Sequence, residues 1–150
     1  LFKLKMGYPT KQEEIEVLRR AEKEVTIDSL EAVIALEELK NLQSAVKDVV
    51  VSDAVKSYIV ECAAETRNNP FVYLGVSPRG SLAVMKSCQA YALLQGMSYI
   101  TPDDVQYLAP FVFGHRMILS PEAKYEGVSE EEIIDRIIMK VPVPVDKVTY

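Results

Sequence analysis

Tryptophan is absent from this chain, histidine occurs once, at His115, and cysteine twice, at Cys62 and Cys88. Three such scattered residues, with no CxxC among them, cannot close a Cys/His zinc site. The single imidazole leaves one base for nucleophilic catalysis, and no GxSxG surrounds any serine. Long apolar runs are missing as well. A stretch such as Ala90-Tyr91-Ala92-Leu93-Leu94 falls far short of the ~20 residues that cross a bilayer. Basic charge is scarce: 17 Lys and Arg against 22 Asp and Glu give a net charge of -5. That argues against a sequence-independent nucleic-acid binder, which is normally basic. The segment Gly75 to Ser81 has the outline of a phosphate loop, but Ser81-Leu82 stands where Lys-Ser/Thr is required.

What remains is enough for one ordinary folded domain: 150 residues, nearly half of them hydrophobic. The chain opens Leu1-Phe2-Lys3 without a Met and without a signal peptide, and reads as a piece of something longer.

Helix starts are clearly written. Thr10 to Glu13 and Ser129 to Glu132 fit capping boxes. Ser52 can cap a helix with the stripe Val55, Tyr58, Ile59, Cys62 and Ala63. Ser77-Pro78, Thr101-Pro102 and Ser120-Pro121 each place a cap residue before a Pro at the first helical position. Asn68-Asn69-Pro70, Gly96 and Gly127 mark helix ends. The helix from Pro78 to Gln95 is apolar nearly all round, which predicts a central place with neighbours on most faces. Val49–Val51 and Met117–Leu119 are short runs suited to a small two-stranded ribbon. Phe2, Leu4 and Met6 alternate with lysines before Gly7-Tyr8-Pro9, so residues 2–6 read as a lone strand without a partner. The fold expected is therefore all-α: a bundle of about five or six helices over 10–140, with that N-terminal strand and the ribbon.

Arg79 is the leading candidate for chemistry. With Ser77 as N-cap, it falls at the second helical position, where a cation opposes the helix dipole at a cost of ~0.3–1 kcal/mol. An anion would offset that cost, and free N–H groups beside a guanidinium make a phosphate site. The competing reading is a solvated arginine or one paired with a nearby carboxylate. His115-Arg116 is read first as a polar pair bridging helix to ribbon. Cys62 and Cys88 lie on apolar helix faces and read as small buried hydrophobes in a reducing compartment. Glu130–Glu132 with Asp135 reads as a solvated helix start rather than a metal site. Tyr91, Tyr99, Tyr107, Phe111 and Phe113 read as core rather than a stacking platform.

Gly7-Tyr8-Pro9, Gly75-Val76-Ser77-Pro78-Arg79-Gly80-Ser81, Tyr99-Ile100-Thr101-Pro102-Asp103-Asp104-Val105, Gly114-His115-Arg116, Leu119-Ser120-Pro121-Glu122-Ala123, Glu126-Gly127-Val128 and Val141-Pro142-Val143-Pro144 follow one another in a specific order. Together they resemble the C-terminal part of MoxR-family AAA+ ATPases, over nearly the whole chain. The resemblance implies a helical lid at 10–140, the last core strand and its exit turn at 1–9, and a Val/Pro-rich tail at 141–150. Arg79 matches the family's sensor-2 arginine, with Ser77, Pro78 and Gly80 forming the helix start that meets the nucleotide. Gly7, Tyr8, Pro9, His115 and Arg116 match family positions and are expected at interdomain contacts. The implied cofactors are ATP and Mg2+ in the full-length parent. The implied partners are the AAA+ core, neighbouring subunits of a ring and von Willebrand factor A domain proteins, in the cytoplasm. The implied activity is ATP hydrolysis coupled to chaperone-like remodelling. These residues alone carry no Walker A or Walker B motif, so they are expected to be inactive in hydrolysis. The rival reading is a free-standing helical adaptor that binds a partner through apolar helix faces.

Overall fold

The computed structural model describes residues 1–22 and 30–144, and within them the chain is predominantly helical. In chain order the elements are α1 (Lys11–Glu22), α2 (Leu36–Ala45), a 3₁₀ turn (Val46–Asp48), α3 (Asp53–Asn68), β1 (Val72–Leu74) and α4 (Pro78–Leu94). Then come α5 (Pro102–Phe113), a second 3₁₀ turn (Gly114–Arg116), β2 (Ile118–Leu119), α6 (Pro121–Glu126) and α7 (Glu130–Lys140). The all-α reading holds. Part of the Val/Pro tail, residues 145–150, lies outside the described residues.

Side-chain caps begin most of these helices. The hydroxyls of Ser52, Thr101, Ser120 and Ser129 accept from the N–H groups of Val55, Asp104, Ala123 and Glu132. Thr10 and Glu13 bond reciprocally ahead of α1. Gly127 closes α6 at φ +73°, a left-handed conformation that costs glycine nothing.

Every buried described residue lies between Val49 and Val141. The stripe Val55, Tyr58, Ile59, Cys62 and Ala63 of α3 is buried as its spacing demands, as are Ile133, Ile134 and Ile137 of α7. They meet Val84 and Cys88 of α4 and Val105, Leu108, Val112 and Phe113 of α5. The hub differs from the expected one. Helix α5 packs on α3, α4 and α7, whereas α4 leaves Leu82 and Leu94 exposed. Hydrophobic content around α4 overstated its burial, since Leu82 and Leu94 face solvent. Helices α1 and α2 bury nothing.

The ribbon exists with a different partner. β2 pairs antiparallel with Val72–Leu74, not with Val49–Val51, in the register Val72↔Leu119 and Leu74↔Ile118. Val50 instead forms an isolated parallel bridge with Tyr99. The chain turns at Asn69 directly out of α3, and this delivers Val72 to β2 first. The apolar run Phe71–Leu74 between Pro70 and Gly75 was the available signal. Residues 2–6 form no strand. Their one ladder-like bond runs from the Lys3 N–H to the Phe111 carbonyl, 3.0 Å, and a strand needs a partner along its length.

The joint between α3 and α4 is the tightest point near the site. Thr66 Oγ1 donates to the Ala63 carbonyl at 2.6 Å and accepts the Val76 N–H at 2.9 Å. Arg67 Nε donates to the Val76 carbonyl at 2.8 Å. Gly75 lies so close to α3 that a Cβ on it would fall 2.7 Å from Arg67 Cα and 2.8 Å from Arg67 N. Both are backbone atoms and cannot step aside. Gly75→Ala should therefore cost at least about 2 kcal/mol, seen as a lower urea midpoint with unchanged slope. An unaltered midpoint would contradict the close approach.

Candidate functional site

The joint determines where α4 begins. Val76 is fully buried, so the backbone leaves it extended through Ser77 and enters α4 at Pro78, whose ring supplies a helical φ. Ser77 occupies the N-cap position, yet its hydroxyl makes no capping bond. Pro78 has no N–H, and the Gly80 N–H turns to the Ser77 carbonyl at 2.7 Å instead. Arg79 follows, exposed, and its guanidinium makes no hydrogen bond or ion pair with any described residue.

The electrostatics of this start are unusual within the molecule. Helices α1, α2, α3, α5, α6 and α7 all carry acidic residues in the first turn; α4 carries none and has Arg79. Of the competing readings of Arg79, pairing with a carboxylate of the described residues is excluded, and a solvated arginine and an anion ligand both fit what is seen. A solvent-facing cation at a positive helix end is left, which suits an incoming anion.

Gly80 and Arg116 come together on the inner side of the same turn. Gly80 is buried, and a Cβ there would fall 2.3 Å from Val76 Cγ1 and 3.5 Å from Arg116 Cδ. Arg116, on the 3₁₀ turn after α5, donates from Nη2 to the Leu1 carbonyl at 3.3 Å. Its Nε is buried without a partner among the described residues. His115 beside it is exposed; desolvation of the ring, then the Arg116 charge, lower its pKa. Gly7, Tyr8 and Pro9 are exposed in the irregular segment before α1, with open space around Gly7. The structure thus gathers Ser77, Pro78, Arg79, Gly80 and Arg116 at one place and leaves Gly7–Pro9 apart from any described packing.

Thr66, Arg67, Gly75 and Val76 were not singled out by sequence reasoning. Gly75 stood in the quoted motif, but nothing in a one-dimensional pattern shows that Arg67 reaches the Val76 carbonyl. Among the described residues no group of three His, Cys, Asp or Glu side chains is arranged to hold a metal ion.

Residues 64–137, from the last turn of α3 into α7, match the family model of the AAA lid domain. Over 147 residues the chain is 54% identical to the uncharacterized protein YeaC of Bacillus subtilis, covering 98% of this chain and 46% of that one. It is 31% identical to Chaperone MoxR1 of Mycobacterium tuberculosis, over 96% of this chain and 40% of the relative. The chain belongs to the MoxR family of AAA lids. Its fold matches the crystal structure of a "putative ATPase" from Cytophaga hutchinsonii with a TM-score of 0.86, at 24% identity, over 96% of this chain and 46% of that one. The chain spans less than half the length of these relatives.

Within this MoxR-family lid, the matched stretch contains the α3–α4 joint, Arg79 and Arg116. No described helix is long and apolar enough to cross a membrane. The thiols take no part in the site. Burial pushes Cys62 up to about 11 and Cys88 up to about 12. Both should resist a thiol reagent at pH 8 in the folded chain and react once it is denatured; fast labelling of the native lid would refute their burial. Gly80→Ala gives a sharper test of the site. Ala normally improves a helix interior by about 0.5–1 kcal/mol. Here the collision with Val76 should reverse the sign and cost about 1–3 kcal/mol by urea unfolding.

Proposed function

We propose that this lid covers ATP bound to the AAA+ core of its parent protein and presents Arg79 to the phosphates as the sensor-2 arginine. The supporting observation is the exposed, unpaired Arg79 guanidinium at an acid-free helix start, held in place by the α3–α4 joint. A guanidinium fork matches phosphate oxygens, and the helix dipole adds to the attraction. The chain's own residues bind and orient; phosphoryl transfer needs groups that these 150 residues lack, including a Walker A lysine. Motion of Arg79 with nucleotide state then moves α4, and α5 and α3 packed on α4 carry that motion through the lid. In this reading the parent is a ring-forming, chaperone-like ATPase of the cytoplasm. It acts on partner proteins that include von Willebrand factor A domain proteins.

An apolar groove of about 440 Å³ between α3 and α4 favours a second, compatible role in protein contact. Ile59, Val60, Leu82 and Met85 line it, with Lys56 and Arg67 at its rim.

In the intact ATPase, Arg79→Ala should lower kcat/KM for ATP at least about tenfold. Unchanged kcat and KM would overturn the role given to Arg79.

A further inference from the structure

We propose that Arg116 is the positioning residue of the α4 site: it seats the turn that carries Arg79 and ties that turn to the segment 1–6. Three observations meet at this side chain. Its Cδ lies 3.5 Å from the place where a Gly80 Cβ would stand, so the aliphatic stem covers the first turn of α4 where glycine leaves room. Its Nη2 reaches the Leu1 carbonyl. Its Nε is enclosed without a partner, and no carboxylate of the described residues pairs with its charge.

Arg116 as a whole is only half-buried, yet enclosing its Nε without a partner is a costly way to fill space, and a leucine or methionine would do that more cheaply. What arginine adds is a rigid fork on a long stem, able to cover one element and grip the main chain of another. The segment it grips is held to the same corner of the lid by two further contacts. The Lys3 N–H bonds to the Phe111 carbonyl, and Lys5 Nζ pairs with Glu131 at 2.7 Å. The turn of α4 is thus clamped from two sides. Thr66 and Arg67 hold Val76 on the α3 side, and Arg116 closes over Gly80 from the α5 side. A shift of segment 1–6 is passed by Arg116 to the residue next to Arg79.

Amide hydrogen exchange on the 150-residue chain tests the seating without any nucleotide. In Arg116→Ala, the amides of residues 80–82 should exchange at least about tenfold faster, relative to those of residues 59–63. Arg116→Lys, which keeps the charge and the aliphatic stem but loses the fork that grips the Leu1 carbonyl, should restore protection only in part. Unchanged exchange at 80–82, acceleration only in step with global unfolding, or full recovery in the lysine variant would overturn the proposal. A second test rests on the phosphate reading of Arg79 and uses the intact ATPase, with a fluorescent ATP analogue as probe. Arg116→Ala should weaken binding, and the Arg79→Ala, Arg116→Ala double variant should bind no more weakly than Arg79→Ala alone. Additive losses would show that Arg116 acts independently and overturn its positioning role. If Arg79→Ala leaves binding unchanged, the phosphate reading fails, and the exchange measurement still decides for or against Arg116.

Discussion

The site depends on Val76, a residue with no chemistry of its own. Its N–H goes to Thr66 Oγ1 and its carbonyl takes Arg67 Nε, so both polar groups of one buried peptide are satisfied by consecutive residues of α3. Gly75 permits this by bringing its backbone against that of Arg67. A buried backbone group without a partner is expensive, so this arrangement leaves the chain little freedom in how it leaves α3. It is followed at once by Ser77, Pro78 and Arg79, and the direction of α4 is set within that interval.

The same joint accounts for the electrostatic contrast around the molecule. Other helices relax their N-termini with acids and hydroxyl caps. At α4 the cap hydroxyl is unused, acids are absent, and a cation projects outward. Local chemistry alone would not choose this start. It is tolerated because burial of Val76 and Gly80 holds the turn regardless. Such a conflict between local preference and global fold is where binding to an outside group is expected. In the proposed function that group is a phosphate.

Much of this was legible in one dimension. Caps at Ser52, Thr101, Ser120 and Ser129, the apolar stripes of α3 and α7, and the stops at Asn69 and Gly127 all follow from local rules. A cap or a stripe involves residues three or four apart, whose contacts a helix dictates by itself. Arg79 stood out for the same reason, since its relation to the helix dipole is local. The ribbon was half legible. Two apolar runs announced that pairing would occur, but strand partners are long-range, and the turn after α3 put Val72 beside Leu119 ahead of the Val49–Val51 run.

By itself the sequence determined most of the helices and their ends, the all-α class and the arginine at the start of α4; α2, whose N-cap Ala35 has no hydroxyl, carried no such signal. These are matters of period, capping and charge among near neighbours. Only the tertiary structure decided that α5 rather than α4 is the hub. It alone showed that Gly75 and Gly80 are glycines for want of space, and that Arg116 lies against the turn bearing Arg79. Each of these depends on which surfaces meet across the core. Close packing fixes that at the level of single carbon atoms, and no spacing along the chain encodes it.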